Sequence, residues 1–170
     1  TQPSFQLLLR PSKRRSPNMR LGRRIAIDHG AARIGIAMSS IDALISSPLL
    51  TVTAGESALE QVVGVIRENE PIEIYVGLPL NLSGEYTKST EDALAFARAL
   101  SEEVSVDVRL VDERMTTRAA QGQLHASGKN SKVSRSLIDA AAASLILEGA
   151  LAFEKTTGHL PGKSFLELDA

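Results

Sequence analysis

The 170-residue sequence contains no cysteine, and this absence removes several classes of chemistry. Disulfide bonds, thiolate metal sites, iron–sulfur clusters and cysteine nucleophiles are all excluded, and the composition suits a reducing compartment. Histidine occurs only three times, without the spacing of a histidine metal site, and no Gly-x-Ser-x-Gly motif is present. The candidates for catalysis are therefore the acidic residues.

Aromatic residues and long apolar runs are also scarce. Phe, Trp and Tyr make up 4% of the chain, so a platform of aromatic rings for stacking bases is not expected. The apolar runs are much shorter than the roughly 20 residues that span a bilayer. With 43% hydrophobic and 23% charged residues, the composition is typical of one soluble globular domain. We expect a cytoplasmic protein that contacts no membrane.

The net charge of −1 conceals a segregation of charge. Residues 1–24 hold seven of the 19 basic residues and no acid, which leaves 12 basic against 20 acidic residues over 25–170. We predict a basic, disordered N-terminal arm over 1–22, one folded domain over 23–153 and a loose C-terminal tail over 154–170. A basic arm on an acidic body favours a polyanionic partner, although a solvated leader would have the same composition.

The spacing of apolar residues predicts five strands and three main helices. Strands are expected at 24–28, 33–38, 48–53, 72–76 and 106–110, and helices at 55–68, at 89–100 and from Ser136 onward. The first three strands follow one another at hairpin distance, and the later strands alternate with helices. This order predicts an α/β fold: a five-stranded mixed sheet, made of an antiparallel meander and then crossover strands, with helices on both faces.

Three acidic residues occupy places where such a sheet would hold a ligand, beyond the carboxyl ends of its strands. Asp28 ends the first strand, Glu113 follows the fifth, and Asp139 lies on the packing face of the last helix. Each also has a simpler interpretation: Asp28 as a turn residue, Glu113 as a helix-terminal acid or a surface partner of Arg114, and Asp139 in a capping box with Ser136. Together they offer the oxygen ligands with which two divalent ions promote in-line displacement at a phosphodiester.

Four motifs in order along the chain make this pattern specific. They are Ile27-Asp28-x-Gly30-x-x-Arg33-Ile34-Gly35-x-Ala37, Val76-Gly77-Leu78-Pro79 through Gly84, Asp112-Glu113-Arg114-x-Thr116-Thr117, and Ile138-Asp139-x-x-Ala142. Between residues 24 and about 153 the chain resembles the YqgF/RuvX family, relatives of RuvC. The resemblance implies an RNase H-like fold and a nuclease that uses Mg²⁺ or Mn²⁺. It places Asp28, Glu113 and Asp139 at the positions of the catalytic, metal-binding acids.

Basic and hydroxyl side chains near these acids are the predicted contacts with nucleic acid. Basic groups beside a metal site position phosphates without reading sequence, although a solvated loop is the alternative interpretation. Ala32-Arg33 stands where the family often has Lys-Arg, so one phosphate contact is expected to be missing. The predicted binding residues are Arg33, Arg114, Thr116, Thr117, Arg118, Lys129, Lys132 and Arg135.

Four functions stay open on the sequence alone. The resemblance implies cleavage of structured nucleic acid, with processing of the 5′ end of precursor 16S ribosomal RNA in ribosome biogenesis preferred. Cutting of Holliday junctions in recombination and repair is the alternative, and symmetric cutting would need a homodimer. A nucleic-acid-binding module without catalysis is a third, against which the three acids argue. The fourth, an actin- or Hsp70-like nucleotide site suggested by Asp28-x-Gly30, would need two domains, and 170 residues hold one.

Overall fold

A mixed six-stranded sheet forms the centre of the computed structural model, which describes residues 19–115 and 132–168. The strands are β1 (Arg24–His29), β2 (Arg33–Ser39), β3 (Ser46–Thr53), β4 (Glu73–Leu78), β5 (Val108–Asp112) and β6 (Lys163–Ser164). Their order across the sheet is β3-β2-β1-β4-β5-β6. β1, β2 and β3 are antiparallel neighbours, β1, β4 and β5 run parallel, and β6 is antiparallel to β5. The predicted α/β architecture is confirmed, with a sixth strand added.

Four α-helices and one short 3₁₀ helix complete the described part of the fold. They are α1 (Ala58–Asn69), α2 (Lys88–Glu103), α3 (Lys132–Thr157) and α4 (Phe165–Leu168), with the 3₁₀ helix Glu113–Met115 directly after β5. Val62, Val63 and Ile66 of α1 are buried, as the predicted helical stripe requires. Helix α2 begins with a capping box in which Thr87 and Thr90 exchange side-chain and backbone hydrogen bonds.

The two faces of the sheet carry side chains of different size. Successive residues of a strand point to opposite faces, so Ile25 and Ile27 of β1 join the core with α1 and α2, whereas Ala26 faces α3. The α1–α2 side is filled mainly by Ile, Val and Leu. On the other side, Ala26 and Ala37 from the strands meet Ala143 from the helix. Small side chains on both partners allow α3 to lie close to the sheet.

Helix α3 is long and apolar enough between Ser136 and Thr157 to cross a membrane by length and composition alone. Its residues Ala143 and Leu147 are fully buried in the cluster that contains Ala26 of β1. Packing on the sheet therefore accounts for the apolar character of this helix.

Helix α3 also begins four residues before the predicted start at Ser136. Asp139 is its eighth residue, beyond the first turn whose free amide groups a capping side chain would bind, so the capping-box interpretation is wrong. Contacts with β3 hold the early part of the helix instead. The hydroxyl group of Thr51 donates to the carbonyl oxygen of Ser136 at 2.8 Å.

Residues 154–168 form ordered structure where the sequence predicted a loose tail. Helix α3 continues to Thr157, β6 pairs with β5, and Phe165 is buried. Gly162 has a φ of +64°, and a Cβ atom there would overlap the carbonyl oxygen of Leu110. Only glycine lets the chain approach β5 so closely. A strand of two residues shows no alternation, which is why the sequence pattern missed it.

The predicted arm over 1–22 likewise extends too far, because Arg20 is bound to the folded domain. Its guanidinium donates to Glu73 at 2.7 Å and to Glu154 at 2.9 Å, and both carboxylates are buried. Residues 1–18 lie outside the described structure. We call the buried polar cluster at the start of β1 and β4 the amino-end network. It comprises Arg20, Arg24, Glu73, Tyr75, Arg109 and Glu154.

Candidate active site

Asp28 lies near the end of β1 and points to the face of the sheet that α3 covers. Ala26 faces α3, and Asp28 follows it by two residues, so both lie on the same face. Asp28 pairs with Gly35 of β2. The turn between the strands is closed by the amide of Gly30, which donates to the carbonyl oxygen of Arg33 at 2.9 Å. The hairpin thus fixes Asp28 at the carboxyl end of β1.

Gly35 allows the early part of α3 to reach Asp28. A Cβ atom at this position would overlap the carbonyl oxygen of Asp139. Any other residue at position 35 would therefore push the helix away from β2. With glycine there, the carboxylate of Asp139 lies near enough to Asp28 for their charges to repel, which contributes to a raised pKa of Asp28.

Gly77 of β4 makes room for the third acid in the same way. Glu113 follows directly after β5, and Gly77 pairs with Val111 of that strand. A Cβ atom at position 77 would lie 2.9 Å from Cγ and Oε1 of Glu113 and 2.6 Å from Cδ1 of Ile146. The open space over β4 lets Glu113 reach Asp28, and the two carboxyl groups share a hydrogen bond.

The Asp28 and Glu113 side chains are half-buried and contact each other. Burial raises the pKa of Glu113 to about 8, helped by the negative charge of Asp28 and the shared hydrogen bond. Burial raises the pKa of Asp28 as well, while the hydrogen bond from Glu113 opposes that rise. Glu113 therefore holds the shared proton and donates it to Asp28. Removing that proton would leave two repelling charges, which a bound cation would compensate.

The carboxylate of Asp139 is bound to Arg33, at the rim of this site. Nε of Arg33 donates to Oδ2 of Asp139 at 2.5 Å, and the side chains are 32% and 27% exposed. Within residues 19–115 and 132–168, no three His, Asp or Glu side chains are gathered closely enough to hold a metal ion. The structure thus brings two of the predicted acids into contact and places the third beside them with a different partner.

Arg114 lies against Asp112, which ends β5. Its Nε and Nη2 donate to Oδ2 of Asp112 at 3.0 and 2.7 Å, and its backbone amide donates to Oδ1 at 2.9 Å. Asp112 is therefore engaged by its neighbour in the chain. Of the other predicted contacts, Thr116, Thr117, Arg118 and Lys129 lie outside the described residues, and Lys132 and Arg135 lie in the first turns of α3.

A cavity of about 150 Å³ opens beside the Asp28–Glu113 pair. It is lined by Asp28, His29, Gly30, Ala31, Pro79, Ser89, Asp92 and Glu113. Ser89 and Asp92 are not among the site residues predicted from the sequence. The available signal was topological: α2 follows β4, so its first turn must lie at the same edge of the sheet as the end of β1.

Comparison with known proteins identifies the family. Residues 22–152 match the family model RuvX, described as Holliday junction resolvase. The chain belongs to the RuvX family. A relative from Clavibacter michiganensis subsp. michiganensis is 47% identical over 147 residues, which cover 85% of this chain and 91% of the relative. A relative from Streptomyces coelicolor is 43% identical over 150 residues, or 86% and 90% of the two chains. Both are named "Putative pre-16S rRNA nuclease".

The RuvX fold of this chain is similar to that of RuvC from T. thermophilus, solved in complex with a Holliday junction substrate. The TM-score is 0.54 at 15% identity, and the match covers 82% of this chain and 99% of RuvC. At this identity the similarity speaks for the fold, which confirms the predicted RNase H-like architecture. The family and the names of its members confirm the prediction of a nuclease, and they suggest a divalent metal.

The donor atoms at the site suit a divalent metal. Carboxylate oxygens are the ligands that Mg²⁺ and Mn²⁺ prefer. A cation could replace the proton shared by Asp28 and Glu113 and would then compensate the negative charges of both carboxylates. Asp139 could join these two acids after leaving Arg33. The residues present therefore fit the metal that the family suggests.

Proposed function

We propose that this RuvX protein is a divalent-metal-dependent nuclease that hydrolyses phosphodiesters in structured nucleic acid. Asp28, Glu113 and Asp139 are its metal-binding and catalytic residues in this proposal, and Mg²⁺ or Mn²⁺ is its cofactor. The observation that carries the proposal is the half-buried contact between the carboxyl groups of Asp28 and Glu113. When bound, the metal would supply a Lewis acid for the charge that develops on phosphate oxygens.

The chain's own residues hold and orient the reacting groups. Asp28 and Glu113 extend from β1 and β5, which are both hydrogen-bonded to β4, so the sheet sets the spacing of the two carboxyl groups. Glu113 must give up its proton for metal binding, because the ionised carboxylate is the competent ligand. We place the scissile phosphate in the cavity beside the pair, next to the hairpin turn at Gly30 and Ala31.

We infer that precursor 16S ribosomal RNA is the preferred substrate. The support is the shared name of relatives that are more than 40% identical and that this chain covers almost completely. The description of the family model favours a Holliday junction instead, which is the second candidate. Both substrates present a regular phosphate backbone, so the same acids would serve either reaction.

Substitution of Asp28 by Asn tests the chemistry directly. We expect the wild-type protein to cleave labelled precursor 16S RNA with Mg²⁺ or Mn²⁺ and not with EDTA. Asp28→Asn should lose several orders of magnitude in rate and keep its fold by circular dichroism, because shape is retained and a metal-binding charge is lost. Asp42→Asn makes the same chemical change on an exposed turn and should leave the rate unchanged.

A four-way DNA junction in parallel reactions decides the substrate. Cleavage of the junction and not of the RNA would transfer the assignment to the second candidate. Undiminished cleavage by Asp28→Asn under saturating Mg²⁺, or cleavage in EDTA, would overturn the nuclease mechanism itself.

A further inference from the structure

Arg33 opens β2 at the rim of the candidate site and bridges two distant parts of the chain. Its ion pair with Asp139 joins residues 106 positions apart. The carbonyl group of Arg33 accepts from the amide of Gly30, so the turn that follows Asp28 also fixes the backbone of Arg33. Arg33 shares its strand face with Gly35, the residue over which α3 approaches β2. Its place relative to the acids is therefore set by the hairpin.

This ion pair occupies the carboxylate that a three-acid metal site would need. Both partners are about a third exposed, and ion pairs with that exposure are weak. A divalent cation at Asp28 and Glu113 would attract Asp139 with twice the charge of a guanidinium and would repel Arg33. The exchange of partners is therefore favoured once the metal arrives.

We propose that Arg33 is a positioning residue that holds Asp139 in the metal-free protein and releases it to the metal. The freed guanidinium then binds a phosphate of the nucleic acid, for which its planar donors are suited. Metal and nucleic acid consequently strengthen each other's binding through Arg33, by the same factor in both directions. This inference rests on the proposed function, because it requires a cation at the acidic residues.

The Nε–H group of Arg33 reports directly on the ion pair with Asp139 in the wild-type chain. In ¹⁵N-labelled full-length protein we expect the Nε–H resonance of Arg33 to move as Mg²⁺ is added. The resonance of Arg109, whose Nε donates to the carbonyl oxygen of Pro161 at 2.7 Å, should not move. Arg33→Lys supplies the assignment, and Asp28→Asn should abolish the Mg²⁺-dependent movement.

Binding of Mn²⁺, followed by electron paramagnetic resonance, tests the competition. Arg33→Gln should bind Mn²⁺ about fivefold more tightly than the wild type, because a competitor for Asp139 has been removed. Arg23→Gln removes the same charge from an exposed residue at the opposite end of β1 and should not change the affinity. Arg33→Lys retains a cation and should resemble the wild type.

The coupling is measured with an RNA hairpin that carries phosphorothioate linkages to slow cleavage. Mn²⁺ should tighten hairpin binding by the wild type and by Arg23→Gln, and much less by Arg33→Gln. Absence of any Asp28-dependent Mn²⁺ binding would refute the proposed function. Asp28-dependent Mn²⁺ binding with equal affinities in Arg33→Gln and Arg23→Gln, and a stationary Arg33 resonance, would refute the role of Arg33 alone.

Discussion

Helix α3 carries an acid near each end, and the two acids differ in burial and in the charges around them. Asp139 and Glu154 are 15 residues apart, or about 22 Å along a helix. At Glu154 the carboxylate has Arg20 at 2.9 Å and Arg24 at 3.6 Å. At the other end, Asp139 is partly exposed, has Arg33 at 2.5 Å, and also feels the negative charge of Asp28.

The comparison separates a structural use of buried acids from a functional one. Buried charges need compensation, and the amino-end network provides it with guanidinium groups of the chain itself. Glu73, for example, accepts hydrogen bonds from both Arg20 and the hydroxyl group of Tyr75. The carboxyl groups of Asp28 and Glu113 share a proton, which a divalent cation would replace in the proposed function. The two acid clusters thus differ in their compensation: arginine side chains of the fold in one, and in the proposed function a bound cation in the other.

Replacing Asp139 by Asn should give the largest effect, and it should appear mainly in catalysis. Cleavage should fall by orders of magnitude because a metal-binding charge is lost. The free energy of unfolding should change by no more than about 1 kcal/mol, since the ion pair with Arg33 is partly exposed. Single-turnover cleavage and urea unfolding measure the two effects. Wild-type activity in Asp139→Asn would leave this residue as an ion-pair partner of Arg33 and nothing more.

Replacing Glu154 by Gln, at the other end of the helix, should lower stability and leave catalysis unchanged. We expect a loss of about 3 kcal/mol in the free energy of unfolding, because the buried charge of Arg24 and the partly exposed charge of Arg20 lose a buried partner. Cleavage per folded molecule should be unchanged. Glu148→Gln makes the same change on the exposed side of α3 and should cost less than about 0.5 kcal/mol. Equal stability of the two variants would contradict a structural role for the amino-end network.

The last prediction concerns the dependence of stability on pH in the metal-free protein. The pKa of Glu113 rises from 4.5 to about 8 on folding, so the folded state binds a proton that the unfolded state has lost between these values. The contribution of Glu113 to stability is therefore complete below about pH 4.5 and is lost as the pH rises through about 8.

The measurement is urea unfolding in EDTA across this range, in the wild type and in Glu113→Gln. The difference in stability between the two proteins should fall with rising pH, and Mg²⁺ should restore it at the alkaline end. A difference that stays constant with pH would contradict the shared proton at the Asp28–Glu113 pair.

Local patterns in the sequence predicted much of the fold and the two acids that meet. The alternation in β1 and the stripe in α1 are short-range signals, and the rule that ligands bind at strand ends led to Asp28 and Glu113. The spacing of Ser136 and Asp139 was misleading, because the spacing alone cannot show that the helix begins at Lys132. The early part of this helix contacts β3, which lies far away in sequence, through the hydrogen bond from Thr51 to the carbonyl oxygen of Ser136.

The sequence could not predict the amino-end network or the partner of Asp139. Glu73 and Glu154 find Arg20 only in the folded chain, at separations of 53 and 134 residues. β6 is two residues long and is recognisable only by its pairing with β5. Such contacts arise from topology, and charged residues in them look like ordinary surface residues in the sequence.

The position of β6 has a consequence for the protein while it is being synthesised. Asp28, Glu113 and Asp139 all precede residue 163, so a growing chain holds the three acids before it holds the strand that covers β5. Arg109 acquires its carbonyl partners only when Pro161 and Gly162 have been added, 52 and 53 residues later. Until then β5 is the open edge of the sheet. β5, the strand that leads into Glu113, therefore receives its second neighbouring strand only late in synthesis.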